Sequence, residues 1–247
     1  MQVTNGDIQE EKVGGGKTAI GVVYSSLMQA ILNGEIEPES RLRIENLRLR
    51  YGVGSSTVRE ALSRLLVENL VTTQGQKGFR VAPVSMADFE EIVKMRALLE
   101  SAALLESMEN GDDEWEGNLV AAHHRLAKIE KAILASKADE VSDENVRDWE
   151  FRNRDFHDAL YAACHNRWLQ KFRNILYNQS VRYLRISISS RSVPRDVRAE
   201  HQAIFDAAIG RDKVLAEKLL REHIGKSIGV LAERIPGGKF ASSFGEA

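Results

Sequence analysis

The sequence predicts a mainly α-helical protein, with a small N-terminal module of three helices and one hairpin ahead of an all-helical antiparallel bundle. Three observations carry this. Apolar residues recur at three- and four-residue steps through most of the chain. Four prolines and 6% aromatic residues are too few for a many-turned, multi-stranded β protein. A single pair of short β-prone runs flanks one glycine-containing loop. At about 150 residues per domain, the 247-residue chain gives roughly 1.6, so two domains are expected.

The elements follow in order. Residues 1–16, ending in Gly14-Gly15-Gly16, have no periodicity and are expected to be a disordered arm. Ile20, Val23, Leu27, Ala30 and Ile31 mark a helix over 18–32, stopped at Asn33-Gly34. A second short helix is expected over 44–51, with Gly52-Val53-Gly54 as a turn. Ser55 or Ser56 is then expected to cap a third helix whose buried face is Val58, Leu62, Leu65 and Leu66. Val71-Thr72-Thr73 and Phe79-Arg80-Val81 form the hairpin around Gly75 to Gly78. This module occupies 17–84, and Pro83-Val84-Ser85 reads as a hinge.

The bundle, 85–235, opens with a capping box of Ser85 and Asp88. Helices are expected over 86–109, 113–136, 142–164, 167–188, 197–210 and 212–232. Breaks fall at Gly111, Lys137 to Asp139, His165-Asn166, Pro194 and Gly210, and Asp112, Ser142 and Asp212 are the expected N-caps. Residues 236–247 are expected to be a flexible tail.

Composition narrows the function classes. No run of 18 apolar residues exists and the first residues are polar and Gly-rich, so neither a membrane span nor a secretory signal is expected. Cys164 is the only cysteine and cannot form an internal disulfide, which points to the reducing cytoplasm. Residues 17–84 hold nine Lys/Arg against six Asp/Glu, so they carry +3 and the rest carries −5 of the total −2. A modestly basic front end on an acidic body fits a small nucleic-acid module.

Helix, helix, glycine turn, helix and hairpin is the order of a winged helix-turn-helix. Its third helix must show its N-terminus and outer face to the major groove, and here those positions are Ser55, Ser56, Thr57 and Arg59. Hydroxyls and backbone amides at a helix start suit phosphate oxygens, while arginine contacts phosphate or reads guanine. Lys77-Gly78 would be the wing tip, and Arg43, at the start of helix two, a further phosphate or base contact. The bland alternative is a helical hairpin domain with a solvated polar surface.

In the bundle, His157 shares a helix face with Trp149, Asn153, Phe156, Leu160, Tyr161 and Cys164, His201 lies in register with Ile204, Phe205 and Ala208, and His223 with Leu219 and Leu220. Three imidazoles entering one core from three helices are the ligand set of a transition-metal site, with zinc or nickel favoured. Asn153, one turn before His157, could add a carbonyl oxygen. The plain alternative is three hydrogen-bonded core histidines. Arg96 falls within the apolar stripe Phe89, Ile92, Val93, Leu99, Ala103. A buried guanidinium needs an anion, either Glu100 one turn on or a carboxylate effector.

Two stretches carry a family resemblance. Tyr51-Gly52-Val53-Gly54-Ser55-Ser56-Thr57-Val58-Arg59-Glu60-Ala61-Leu62-Ser63-Arg64-Leu65, with Glu68-Asn69-Leu70-Val71 and Lys77-Gly78-Phe79-Arg80-Val81, resembles the GntR-type DNA-binding domain. The second half resembles the ligand-binding domain of the FadR-like (FCD) branch. Within that branch the Leu-Arg opening and the Gln76-Lys77-Gly78-Phe79-Arg80-Val81 wing are most similar to repressors of the carbon-starvation or glutarate type. The resemblance implies an effector-responsive DNA-binding regulator, acting as a homodimer on double-stranded operator DNA. It also implies that His157, His201 and His223 match metal histidines, that Arg59 matches the recognition-helix arginine, and that Arg96 lines the effector cavity. Two positions depart: Ser55 stands where an arginine is usual, and Asn153 where many relatives carry an aspartate ligand. The usual operator preference is therefore not assumed for this chain, and a neutral amide at Asn153 binds a divalent metal less strongly than a carboxylate would. No P-loop, Gly-x-Ser-x-Gly, His-Glu-x-x-His or Rossmann fingerprint competes, and Cys164 reads as an inert buried thiol. The rival classes are a metal-dependent hydrolase with Glu100 as its base and an assembly protein that binds no nucleic acid. No catalytic residue is expected.

Overall fold

In the computed structural model the described residues are 18–73, 78–136, 142–187 and 197–234. The expected arm and tail, the breaks at Lys137 to Asp139 and at Pro194, and Lys77 of the wing lie outside them. The chain divides into two compact units. One comprises the residues up to Ile31 together with Glu39–Ala82, and the other Leu32–Pro38 and everything from Pro83.

The front unit begins with α1, Ala19–Leu32, whose first turn is closed by Gly21 N–H donating to Thr18 Oγ1 at 3.2 Å. Val23, Leu27 and Ile31 bury its inner face. α2, Ile44–Tyr51, ends on Gly52 at φ 63°, a left-handed turn that glycine enters without steric cost and that aims the chain into α3. α3, Ser55–Val67, buries Val58, Ala61, Leu62 and Leu65. Here the capping expectation is corrected. The helix starts at Ser55 itself, so its N-cap is Gly54, and no side chain caps it. The hairpin β2, Val71–Thr73, and β3, Phe79–Val81, forms as the sequence predicts. It gains a third strand, β1, Arg41–Leu42, in the order β1-β3-β2 with Leu42 opposite Phe79 and Val71 opposite Val81. Two residues are too short to show an alternating pattern, so β1 was not legible in the sequence.

The second unit consists, among the described residues, of α4, Met86–Asn110; α5, Asp113–Ala135; α6, Asp143–Leu160; α7, Arg167–Ser187; α8, Arg198–Ile209; and α9, Lys213–Arg234. α4 packs on α7 and α9, α5 on α6 and α8, and α8 on α9. Phe89, Leu104, Leu119, Phe156, Ile204 and Leu220 meet in its core. Asp112, Ser142 and Asp212 accept from Trp115, Asn145 and Leu215 amides, as their caps require. Ser85 also caps α4, accepting from Asp88 N–H at 3.1 Å, but the reciprocal half of the capping box is taken over by another helix. Tyr183 of α7 enters it, accepting from Ser85 N–H at 3.3 Å and donating to the Asp88 carboxylate.

α6 stops at Leu160 rather than running to Cys164. Beyond it Tyr161, Ala162 and Cys164 N–H donate to carbonyls three residues back, and side chains take further backbone groups. Gln170 donates to the Tyr161 carbonyl at 2.6 Å, and Glu106 accepts from His165 and Asn166 N–H at 2.8 and 3.1 Å. At the other end, Arg211 at φ 56° reaches back from the α8–α9 turn. It donates to the Met108 and Gly111 carbonyls and to Glu116, with its guanidinium 4.7 Å above the Trp115 ring. Gly111 is needed there, because an added Cβ would lie 2.5 Å from the Trp115 ring.

Candidate nucleic-acid interface and metal centre

In the front unit, burial of the inner face of α3 leaves Ser56, Arg59, Glu60, Ser63 and Arg64 exposed, with Ser55 and Thr57 half-buried. Because Gly54 offers no side chain, the first-turn amides of α3 have no side-chain acceptor and are free for an anion. Arg64 is paired with Glu60 at 3.2 Å, whereas Arg59 has no ion pair among the described residues. Arg43, at the N-cap of α2, is exposed, as is Gly78 beside the wing. The front unit thus shows hydroxyls, amides and an unpaired guanidinium on one helix start, the donor set that phosphate oxygens accept from.

In the second unit α6, α8 and α9 bring His157, His201 and His223 together, with one ligand atom from each within 4.8 Å of the others. The ring centroids are 5.6, 5.2 and 4.8 Å apart. Phe156 sets its ring edge-on against His157 and His201, which walls the site with apolar surface. His157 and His201 are buried and His223 half-buried. Burial, and then the neighbouring His223 and His201, push the His157 pKa well below the usual imidazole range, so its ring is neutral and keeps a lone pair.

Each ring has a partner at Nδ1. His201 Nδ1 lies 2.7 Å from Glu130 Oε1, His223 Nδ1 2.8 Å from Glu200 Oε2, and His157 Nδ1 3.4 Å from Tyr161 Oη. Among the described residues His201 Nε2 is buried without a hydrogen-bond partner. An orphaned, buried imidazole nitrogen beside two further imidazoles fits a divalent transition metal, with nitrogen donors suited to zinc or nickel. Asn153, the expected fourth ligand, is half-buried on α6 and bonds to none of the three rings.

Arg96 is buried as expected and already has an anion. Its Nε donates to Glu100 Oε1 at 2.7 Å and its Nη1 to Ser180 Oγ at 2.9 Å, with the guanidinium 5.2 Å from the Tyr177 ring centre. Burial opposes the charge, but the Glu100 carboxylate more than offsets it and the guanidinium stays charged. Glu100 also accepts from Tyr161 Oη at 2.8 Å, so it is no free general base. Tyr161 remains a protonated phenol, its pKa raised well above the usual range by burial and by Glu100. Arg96, Glu100, Tyr161 and His157 therefore form one hydrogen-bonded row.

Sequence reasoning missed Glu130 and Glu200, and it placed Tyr161 on the His157 face without giving it a role. Glu130 had a signal. It interrupts the apolar stripe Leu119, Ala122, Leu126, Ile133 on α5, the same pattern that singled out Arg96.

The model of the family described as "Bacterial regulatory proteins, gntR family" matches residues 20–81, and that of the FCD domain matches residues 91–226. Over 217 residues, 88% of this chain, the protein is 40% identical to the uncharacterized HTH-type transcriptional regulator BphR of Paraburkholderia xenovorans (strain LB400), 86% of which is covered. It is 33% identical over 218 residues to the HTH-type transcriptional repressor GlaR of Escherichia coli (strain K12), covering 87% of this chain and 96% of that one. Among solved structures it is similar in fold to E. coli McbR/YncC, with a TM-score of 0.69 at 21% identity, covering 88% of this chain and 99% of that one.

Proposed function

The chain belongs to the gntR family of bacterial regulatory proteins, with an FCD domain, and is a transcription regulator rather than an enzyme; from that premise we propose that it is a homodimeric cytoplasmic repressor whose operator affinity is set by a small carboxylate effector at a metal-containing site. The single observation that carries the metal is the convergence of His157, His201 and His223 within 4.8 Å. These three rings would hold the ion, with Asn153 or water completing the set. A bound divalent cation would supply positive charge and open positions for a carboxylate. Arg96 is the proposed second grip on that carboxylate. In the resting state Glu100 and Ser180 hold it, so an incoming anion shares or takes over a guanidinium that is already oriented.

On the DNA side we assign contacts to Arg43, Ser55, Ser56, Thr57, Arg59, Lys77 and Gly78, with Arg59 carrying the largest share. Two copies of α3 on a two-fold axis would read the half-sites of a pseudo-palindrome. Support for the dimer comes from large apolar side chains left exposed on two adjacent helices of the bundle, Met95 and Leu98 on α4 and Trp168 and Phe172 on α7. The repressor role, and kinship with the carbon-starvation or glutarate type, draws its support from the 33% identity to GlaR. Nothing favours the hydrolase.

Metal analysis of purified and of reconstituted protein tests the centre. The expected result is about one zinc or nickel per chain, lost in His157→Ala and His201→Ala. Absence of stoichiometric metal after reconstitution would leave the three rings as core histidines.

A further inference from the structure

We propose that Glu130 and Glu200 are positioning residues that fix His201 and His223 as Nδ1–H tautomers, turning the lone pairs of both Nε2 atoms toward one point. This rests on the metal-site reading above and adds to it the groups that orient the ligands.

An ionised carboxylate only accepts hydrogen bonds, so each ring nitrogen facing one must donate. His201 Nδ1 faces Glu130 at 2.7 Å and His223 Nδ1 faces Glu200 at 2.8 Å. In the neutral form of either ring the proton then sits on Nδ1, and Nε2 carries the lone pair. The third ring obeys the same logic through a different group. Tyr161 uses its one proton toward Glu100 at 2.8 Å, so its oxygen can only accept from His157 Nδ1 at 3.4 Å. The buried, unpartnered Nε2 of His201 is what this arrangement produces.

Charge adds to orientation. Three imidazoles and an amide bring no negative charge to a dication, and Glu130 and Glu200 place two carboxylates one hydrogen bond further out. They are not equal. Glu130 is buried, with Trp149 Nε1 as its other donor at 3.4 Å. Glu200 shares its charge with the exposed Lys226 at 3.0 Å. Glu130 should therefore be felt more strongly.

Two measurements test this. In the metal-free full chain, long-range 1H–15N NMR reads each imidazole tautomer, and Nδ1–H is expected for His201 and His223. Titration with Co(II), followed by its visible absorption, then compares the wild type with Glu130→Gln and Glu200→Gln, which keep an acceptor but remove the charge. Outer-sphere partners of this kind change metal affinity by about 10–100-fold. A loss in that range is expected for Glu130→Gln and a smaller one for Glu200→Gln. Nε2–H tautomers in the wild type overturn the proposal whatever the metal does. So does equal Co(II) affinity in all three proteins. Nδ1–H tautomers in a wild type that takes up no Co(II) would instead sink the metal reading and leave the carboxylates' orienting role standing.

Discussion

Arg59 and Arg64 are both exposed on α3, yet they differ in what they can offer DNA. Arg64 already holds Glu60, while Arg59 has no ion pair among the described residues. Arg59→Ala is therefore expected to weaken operator binding strongly and to lower the log–log salt slope by about one unit. Arg64→Ala should do clearly less, and gel-shift titrations at several salt concentrations compare them. Arg96 poses the opposite case. Removing it leaves the buried Glu100 carboxylate with the neutral Tyr161 hydroxyl and no counter-charge, so Arg96→Ala is expected to cost about 3–5 kcal/mol in chemical denaturation. Glu100→Gln in the same chain should return much of that loss, because the stranded charge is gone. A test of the effector response is better made with the double substitution than with Arg96→Ala alone. At this scale the sequence disclosed which side chains were out of place in their surroundings: histidines and an arginine on apolar faces. It could not disclose partners, since Glu130 and His201 are 71 residues apart and only folding makes them neighbours.

Helices were legible because their apolar spacing and their caps agree. Asp112, Ser142 and Asp212 each cap the helix they precede. In three places where the reading failed, a residue outside the element had intervened. Tyr183 replaced half of the Ser85 box, Gln170 and Glu106 ended α6 early, and β1 exists only because β3 offers it an edge. Gly111 shows how tightly such junctions are built. Gly111→Ala would drive a methyl into the Trp115 ring and to 2.8 Å from the Ser107 carbonyl. A destabilisation of about 1–3 kcal/mol is expected, read from the denaturation midpoint. Circular dichroism should show the helices intact, because the strain is local to the α4–α5 turn.

On the scale of the whole molecule, the resemblance to GntR-type and FCD domains was visible in the recognition-helix stretch and the three histidines, and both family models match. What the chain assembles with was not legible, because exposure of a side chain is decided by its neighbours in three dimensions. Trp168 and Phe172 are about half exposed in the fold, at 54% and 49%, which their apolar character alone does not disclose. Phe172→Glu is expected to shift the protein toward monomer in sedimentation velocity. Operator affinity should fall with it, since each half-site would then be bound alone. On the proposed dimer, an effector would release DNA by favouring one arrangement of the two copies over another, with a coupling of about 1–3 kcal/mol, or 5- to 150-fold.

The Arg211 clamp joins carbonyls that leave the ribosome early to a guanidinium that leaves late, 103 and 100 residues afterwards. At about 5–20 residues per second, the gap lasts roughly 5–20 s. Throughout it, the face of α4 that α9 will cover stays bare, because α9 begins only at Lys213. The front unit has no such wait, since its contacts close within residues 18–82. Each nascent chain therefore passes through a stage in which a finished DNA-binding head is followed by an open, sticky bundle, and that species is the one on which chaperones and aggregation compete.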